Sequence, residues 1–374
     1  MQRRTGAGPP QVGRPPRGPA GYRAPVLPPG SIVLANNEVP DGPPPGVLEA
    51  IGAAARTANR YPSPHADALV ERLAERLGVP PEHLVVGCGS VDVLGRALRV
   101  VCRPGDEVAF AWRSFDLYPD LVDAADATGR PVDLGPGGVL DLAALAGAVG
   151  DRTRVVLLCN PNNPTSTAVE EADLVDFLGR VPSDVLVLLD ETYRDFSANP
   201  RLPDGVRLAG AFPNVAVLRT FSKAYGLAGL RVGYAVLPAH VASAVRRAGP
   251  PYAVNAVAEA AAVAALDAHG EVAERCRRTI AERDRVRAGL VLLGYRPARS
   301  EANFVWLPLG PGSAAFTRHC RRDGIVVRCY DGEGVRVTVG SRAENDHFLA
   351  TAAKFEPGSG APARAGGDQP WATT

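Results

Sequence analysis

Residues 215–234 of the chain read VAVLRTFSKAYGLAGLRVGY. The apolar run at residues 215–218 predicts a short buried strand, and polar residues follow it: Thr220, Ser222 and Lys223. Arg231 comes eight residues after the lysine, among three glycines. A buried strand that leads into hydroxyl side chains and an amine predicts a sheet with a chemical site at its edge.

The lysine of this stretch is one of very few in the chain. Lysine and arginine together number 41, and only Lys223 and Lys354 are lysines. Lysine can lose its proton and form an imine, which arginine cannot do. An ordinary surface lysine in a loop is the alternative interpretation. We favour the chemical one because the rest of the chain supplies partners for an imine-forming cofactor.

The composition limits the kind of protein. A length of 374 residues allows two lobes of one globular unit. A net charge of +1 provides no basic field, so neither nucleic acid nor an anionic membrane is expected as a partner. The six cysteines form no C-x-x-C pair, so no metal site is expected. Without a secretory signal or a bilayer-spanning apolar stretch, the sequence predicts a soluble, reduced, cytoplasmic protein.

Short runs of apolar residues alternate with segments of helical periodicity in the middle of the chain. The runs are Val108–Ala111, Val155–Cys159, Val185–Leu189 and Val215–Leu218. Strands that are apolar on both faces and separated by helices predict a parallel sheet buried on both sides. Ligands of such sheets bind at the carboxyl ends of the strands. Polar residues follow three of these runs, at 160–165, 190–193 and 220–223.

Two helices flank a further short strand, Leu84–Val86. Ser63 and Pro64 predict the start of the first helix, and Gly78 predicts its end. The apolar stripe of that helix consists of Leu69, Val70, Leu73 and Leu77. The second helix is predicted to bury Val91, Leu94, Leu98 and Val101.

The second of these helices opens at Gly89 and Ser90. Free backbone N–H groups and the positive end of the helix dipole suit a phosphate there. A plain tight turn is the alternative interpretation of this glycine pair. The dinucleotide-binding pattern G-x-G-x-x-G is excluded, because Asp92 stands where the third glycine would be. The anion site would be completed by Thr220, Ser222 and Arg231.

Asp190 ends a fully apolar run. It would face the ring nitrogen of a pyridinium cofactor that Lys223 holds as a Schiff base. An anion at that position keeps the ring protonated and able to accept electrons. A helix cap or a turn former is the alternative role for an aspartate at a strand end.

The chain divides into five predicted segments. Residues 1–30 are a disordered arm rich in Pro and Gly, and residues 357–374 are a disordered tail. Residues 61–245 form the large domain. Residues 246–356 form a smaller α+β domain, which residues 31–60, with a helix at Val47–Ala58, are expected to join. The small domain is predicted to contain helices at Val254–Leu266 and Glu271–Leu293 and strands at Ala302–Leu307, Ile325–Cys329 and Val335–Val339.

The chain resembles the fold-type I, pyridoxal-phosphate-dependent aminotransferases of the class I/II group, most closely the histidinol-phosphate aminotransferase branch. The match extends from about Leu34 to Leu349. Its strongest parts are Asn160–Thr165 (NPNNPT), Asp190–Tyr193 (DETY), Ser222–Lys223 with Arg231, and Arg336–Gly340 (RVTVG). The resemblance implies an α/β fold, with a large domain of mixed, mostly parallel sheet between helices and a smaller α+β domain.

The resemblance also implies roles at the cofactor. Lys223 would hold pyridoxal 5′-phosphate and shuttle the proton, and Asp190 would pair with the ring nitrogen. Asn163 and Tyr193 would hydrogen-bond the ring hydroxyl, and Phe115 would stack on the ring. The phosphate would be held by Gly89, Ser90, the backbone of Val91, Thr220, Ser222 and Arg231.

On the substrate side, the resemblance implies that Arg336 clamps the α-carboxylate in a two-bond fork. Asn37 and Asn303 match substrate-side positions. Tyr61 would reach the phosphate of the neighbouring subunit's cofactor, which implies a homodimer with active sites at the subunit interface.

The sequence departs from the histidinol-phosphate branch at several positions. Residues 37–41 read NEVPD, where the branch has NENP followed by an aromatic residue. If Asp41 points into the pocket, it would disfavour a phosphorylated substrate. Ser166 stands where the asparagine motif usually continues with glycine, and Val91, followed by Asp92, stands at an acidic position. These departures predict a paralogue with another substrate.

The leading hypothesis is therefore an aminotransferase that moves an amino group between an amino acid or amine and a 2-oxo acid by a ping-pong scheme. Decarboxylation or β-elimination with the same cofactor is an alternative, because both reactions would keep Lys223 and Asp190. A cofactor-binding regulator is a further alternative. It would need a DNA-binding domain, for which only the residues before Ser31 are spare.

Overall fold

The computed structural model of the chain describes residues 29–355. The predicted tail and all but the last two residues of the predicted N-terminal arm lie outside the described residues. In chain order the elements are β1 (Ile32–Leu34), α1 (Pro45–Ala55), α2 (Asp67–Leu77), β2 (Leu84–Gly87), α3 (Ser90–Val101), β3 (Glu107–Trp112), α4 (Tyr118–Asp123), β4 (Thr128–Asp133), α5 (Leu142–Gly147), β5 (Thr153–Cys159), α6 (Glu171–Arg180), β6 (Leu186–Asp190), α7 (Gly205–Ala211), β7 (Val215–Thr220), β8 (Gly233–Val236), α8 (Ala239–Ala248), α9 (Ala256–Asp267), α10 (His269–Leu292), β9 (Phe304–Leu307), α11 (Ser313–Arg322), β10 (Ile325–Tyr330), β11 (Gly334–Thr338) and α12 (Arg342–Ala353).

A seven-stranded sheet contains all the predicted apolar runs of the first two-thirds of the chain, in the order β2-β8-β7-β6-β5-β3-β4. Strands β4, β3, β5, β6 and β7 pair in parallel, and β8 is antiparallel to both of its neighbours. The prediction of a mixed, mostly parallel sheet is confirmed.

Both faces of this sheet are covered. Along β5, Val155 and Leu157 pack into one apolar cluster with residues of α3, α4 and α8, while Val156 and Leu158 pack into another with residues of α5, α6 and α7. Successive side chains of a strand point to opposite faces, so an uninterrupted apolar run is what a sheet between two helical layers requires. Each such side chain contributes about 1.5–3 kcal/mol when fully buried.

Two strands of the large sheet were not predicted. Strand β4 lies at the edge of the sheet, contains Gly129 and Pro131, and is largely exposed, so it has no apolar run. Strand β8 has only four residues, and the sequence led to no prediction of a strand at this segment.

The second sheet has four strands in the order β1-β10-β11-β9. The three strands predicted after residue 300 are all present, and α11 and α12 pack against them through Phe316 and Phe348. Residues 31–60 are divided between the sheets. Strand β1 pairs with β10, whereas Val47 of α1 packs with α2, α9 and strands of the large sheet. The domain boundaries themselves stay a prediction.

Two local predictions were wrong. Ser63 does not cap α2, because that helix begins at Asp67, after Ala66 in the left-handed conformation. The Ser63 hydroxyl nevertheless accepts a hydrogen bond from the Asp67 amide, at 3.0 Å. In α3 the predicted Leu94 and Leu98 are buried together with Val93 and Ala97, whereas the predicted Val91 and Val101 lie at the margin of the buried face.

Within residues 29–355, no helix combines the length and the apolar character needed to cross a membrane. The same residues contain no group of three or more His, Cys, Asp or Glu side chains placed to hold a metal ion.

Candidate active site

The sheet register brings the predicted polar segments to one edge. Cys159 at the end of β5 is paired with Asp190 at the end of β6, and Asp190 is paired with Leu218 of β7. Strand β7 continues to Thr220, and Lys223 follows three residues later. Because these strands are parallel, their carboxyl ends meet at the same edge.

Lys223 is partly buried at this edge. Its Nζ donates a hydrogen bond to the backbone carbonyl oxygen of Asn36, at 2.7 Å. The pKa of Lys223 is lowered to about 7, mainly by burial and also by the positive charges of Arg336 and Arg231, while the carboxylate of Glu38 acts in the opposite direction. A lysine with this pKa has a large neutral fraction at neutral pH, which is the form that attacks a carbonyl or accepts a proton.

We expect the reactivity of Lys223 in the cofactor-free protein to rise with a midpoint near pH 7, because its pKa is lowered to about 7. An exposed lysine titrates near pH 10.4. Between about pH 7 and pH 10.4, Lys223 is protonated in the unfolded chain and neutral in the folded chain. Lys223 therefore makes the free energy of unfolding rise with pH in this range. The measurement is the rate at which an aldehyde and cyanoborohydride label the Lys223 peptide from pH 5.5 to 10. A midpoint near pH 10 would contradict the expectation.

Asp190 is buried and accepts hydrogen bonds on both oxygens. Oδ1 accepts from the amide and the hydroxyl of Thr192, at 3.1 and 2.6 Å. Oδ2 accepts from the Tyr118 hydroxyl, at 3.1 Å. Burial raises the pKa of Asp190, and the hydrogen bonds from Thr192 and Tyr118 act in the opposite direction. A carboxylate held in this way can receive a further N–H donor.

Tyr118 connects Asp190 to Phe115. The Tyr118 ring is fully buried and lies edge-on to the Phe115 ring, with centroids 5.6 Å apart. Phe115 itself is half-buried. One tyrosine therefore positions both the predicted counter-ion and the predicted stacking ring.

A cradle for an anion lies where α3 begins. Gly89 precedes the helix with φ at 82°, and no side chain caps the first amides. A Cβ at Gly89 would lie 2.5 Å from Nη2 of Arg231. Arg231 Nη1 donates to the Ser222 hydroxyl at 3.2 Å, and the Ser222 amide donates to the Thr220 hydroxyl at 3.0 Å. Uncapped helix amides beside a guanidinium and hydroxyls are the donors that a phosphate requires, so the predicted phosphate residues fit the group.

A guanidinium lies on the small-sheet side of the site. Arg336 on β11 is buried; its Nη1 donates to Asn163 Oδ1 and its Nη2 to the carbonyl oxygen of Ala35, both at 2.5 Å. Its Nε is buried without a partner. No carboxylate of the described residues lies within ion-pair distance of Arg336. A buried guanidinium without a counter-ion can bind an anion of the substrate.

Asn37 links the first strand to the rest of the site. Its side-chain Nδ2 donates to the Tyr193 hydroxyl at 3.0 Å, and its backbone carbonyl oxygen accepts from Asn303 Nδ2 at 3.1 Å. The Oδ1 of Asn303 is buried without a partner, so an acceptor remains available there. Tyr193 is buried, which raises the pKa of its hydroxyl and keeps it protonated as a donor.

Three residues of the sequence analysis lie apart from this cluster. The Tyr61 side chain is 85% exposed and packs on Tyr252, with ring centroids 4.8 Å apart. Val91 lies in the first turn of α3, where only its backbone could take part. Asp41 is exposed and paired with Arg278 at 2.8 Å, so the suggestion that its carboxylate enters the pocket is not borne out by its position.

Sequence reasoning missed several contacts of the site. Tyr118 and Thr192 were not assigned a role, although Tyr118 follows Phe115 by three residues, the spacing of side chains on one helical face. The carbonyl oxygens of Ala35 and Asn36 carry no sequence signal, because every residue has one. The ion pair between Asp116 and Arg328 joins residues 212 positions apart, which a single sequence does not reveal.

Comparison with known proteins gives consistent matches. The family model described as aminotransferase class I and II matches residues 29–351. An aromatic amino acid aminotransferase of Thermobifida fusca is 52% identical over 325 residues, covering 87% of this chain and 90% of the relative. One from Streptomyces avermitilis is 49% identical over 337 residues, covering 90% and 93%. The crystal structure of histidinol-phosphate aminotransferase from Sinorhizobium meliloti in complex with pyridoxal-5′-phosphate has a TM-score of 0.80 and 29% identity, covering 86% of this chain and 90% of the other.

Proposed function

The chain belongs to the aminotransferase class I and II family, and we propose that it transfers amino groups between aromatic amino acids and 2-oxo acids, with pyridoxal phosphate held by Lys223. As a member of this family it is an aminotransferase, and its fold is that of the fold-type I enzymes. The observation that carries the proposal is the position of Lys223 beside groups that suit an anionic cofactor and an anionic substrate. Lys223 directly follows Ser222, whose hydroxyl accepts a hydrogen bond from Arg231. Its Nζ donates to the carbonyl oxygen of Asn36, and the carbonyl oxygen of the preceding residue, Ala35, accepts from Arg336.

The cofactor contacts follow from the donors and acceptors at the strand ends. The uncapped amides of α3, with Ser222 and Arg231, would hold the phosphate. Asp190 would accept the ring N–H, and Tyr193 and Asn163 would face the ring hydroxyl. When bound, the cofactor supplies a positively charged ring that stabilises the negative charge left when the α-proton departs.

The protein side of the reaction is proton transfer and orientation. Lys223 Nζ, neutral above about pH 7, can accept the α-proton of the bound amino acid and would deliver it to C4′ of the cofactor, the carbon on the other side of the amino nitrogen. Arg336 would hold the α-carboxylate through Nη1 and Nη2, replacing its present contacts with Asn163 and Ala35. Fixing that carboxylate orients the α-proton toward the lysine.

Aromatic side chains surround the guanidinium, and they support an aromatic substrate. The Phe304 ring lies 5.5 Å from Arg336, and it packs edge-on against Tyr193 at 5.0 Å. Tyr330 packs against Trp306 at 5.4 Å. Aromatic rings prefer edge-on or offset contact with one another, so these rings offer partners for the ring of an aromatic substrate. The names of the relatives point to the same substrate class, and they favour it over histidinol phosphate.

We also propose that the active unit is a cytoplasmic homodimer in which Tyr61 reaches the partner subunit's phosphate site. The exposed Tyr61–Tyr252 pair supports this, since large aromatic side chains that are open to solvent are typical of interfaces. Sedimentation of the holoenzyme and of Tyr61→Ala, with the cofactor dissociation constant of each, tests it.

The substrate assignment is tested with the holoenzyme and single amino acids. L-Phenylalanine alone should convert the bound cofactor to its amine form and release one equivalent of phenylpyruvate. Addition of a 2-oxo acid should then restore the original absorption. Release of carbon dioxide instead would indicate decarboxylation. Release of ammonia and pyruvate from L-serine, which carries a hydroxyl on Cβ, would indicate β-elimination. No conversion with aromatic donors, together with conversion by others, would overturn the aromatic assignment.

A further inference from the structure

Two arginines of the small sheet lie directly opposite each other. Arg328 of β10 is the register partner of Arg336 of β11. Directly opposed residues of an antiparallel pair project from the same face of a sheet, where like charges are destabilising. The pair therefore needs a local anion or an anionic ligand.

The anion beside Arg328 is Asp116. Arg328 Nη2 donates to Asp116 Oδ2 at 2.9 Å, and the Tyr330 hydroxyl donates to the same oxygen at 3.2 Å. Both charged side chains are mostly shielded, with 23% and 20% of their surfaces exposed. The same Tyr330 hydroxyl accepts a hydrogen bond from Arg336 Nη1, at 3.4 Å, so the Asp116 carboxylate lies near the guanidinium that is proposed to bind the substrate.

The balance of charge at this side of the site is one unit positive. Arg113 pairs with Glu333, with Nε 3.1 Å from each carboxylate oxygen, and Arg328 pairs with Asp116. Among the described residues, Arg336 has no carboxylate partner. One unbalanced guanidinium matches one α-carboxylate and leaves no cation for a second anionic group.

We propose that Asp116 is a specificity-determining residue, which occupies Arg328 and so selects substrates with uncharged side chains over those with a phosphate or a second carboxylate. This inference rests on the proposed function. A second anion would have to displace Asp116 from Arg328 and would then lie close to a displaced carboxylate. In this proposal it is therefore Asp116, and not Asp41 as the sequence suggested, that disfavours a phosphorylated substrate.

The test replaces the carboxylate by an amide of the same shape, Asp116→Asn. Dissociation constants of O-phospho-L-serine and of L-serine are measured by titration of the holoenzyme, followed by the absorption of the cofactor. We expect the variant to bind phosphoserine, relative to serine, about tenfold more tightly than the wild type does, because partly shielded charge pairs give effects of this order. The ratio of the phosphoserine constant to the serine constant removes any general effect on binding.

Two further variants complete the design. Asp116→Asn combined with Arg328→Gln should return the ratio to the wild-type value, since the freed cation is then absent. Asp120→Asn changes the net charge equally in the same segment and should leave the ratio as it is. The inference would be overturned if the ratio for Asp116→Asn were within twofold of the wild-type ratio. It would also be overturned if phosphoserine binding were undetectable in both proteins. Turnover of L-phenylalanine by wild type tests the proposed function separately.

Discussion

Replacement of Lys223 by alanine should reduce kcat for amino-group transfer by about 10⁴-fold, the upper end of what one positioned proton-transfer group contributes. The side chain removed is the one whose pKa burial lowers to about 7. Among residues 29–355 it is also the only lysine whose charge interacts with those of Arg231 and Arg336. The measurement is the single-turnover rate of the holoenzyme with L-phenylalanine, together with borohydride reduction and peptide mapping. The reduced adduct should be found on the Lys223 peptide of wild type and be absent from the variant.

The chain supplies its own control for this experiment. Lys354→Ala removes the only other lysine, whose side chain is 70% exposed and lies 4.0 Å from Asp323. That variant should retain both the rate and the adduct. Thermal unfolding of the cofactor-free variants shows whether the loss reflects chemistry, since Lys223→Ala removes one hydrogen bond, to the Asn36 carbonyl oxygen. Native turnover by folded Lys223→Ala would refute the assignment.

Replacement of Arg336 by glutamine should lower kcat/KM for L-phenylalanine by about 10²- to 10⁴-fold. Two hydrogen bonds to a charged carboxylate contribute about 1.5–3 kcal/mol each, and both would be lost. Steady-state kinetics over a wide range of amino acid concentrations provide the measurement. The effect should appear mainly in KM, because the guanidinium binds the carboxylate in the ground state as well as in the transition state.

A lysine at the same position separates charge from geometry. Arg336→Lys keeps the positive charge but loses the planar fork, so its kcat/KM should fall between those of wild type and the glutamine variant. Arg342→Gln, an exposed arginine at the start of α12, should behave as wild type. The borohydride adduct at Lys223 should persist in all three variants. Equal kcat/KM values for wild type and Arg336→Gln would exclude a role in carboxylate binding.

Several features of the protein could be predicted from the sequence. The apolar run at residues 215–218 and the polar residues after it are local, and a buried parallel strand accounts for both. The sequence also allowed three site residues to be proposed, Lys223, Asp190 and Arg231, because rare or charged residue types at strand ends carry a strong signal. The edge strand β4 could not be predicted, because edge strands tolerate glycine, proline and polar residues.

The tertiary structure decided which distant groups meet. Whether Asp41 or Asp116 lies beside an arginine of the site depends on how residues 37–41 and the β10–β11 hairpin pack, and the partner of Asp41 proved to be Arg278. The contacts of Lys223 and Arg336 with the carbonyl oxygens of Asn36 and Ala35 likewise join segments 187 and 301 residues apart.

The sequence by itself therefore determined the buried parallel strands, the family resemblance and the residue types available for chemistry. Those features depend on local periodicity and on side-chain chemistry. Only the tertiary structure decided the charge balance around Arg336, the support of Asp190 by Tyr118, and the lowered pKa of Lys223. The physical reason is that burial and Coulomb interactions depend on distances in space, and the order of residues along one chain does not specify those distances.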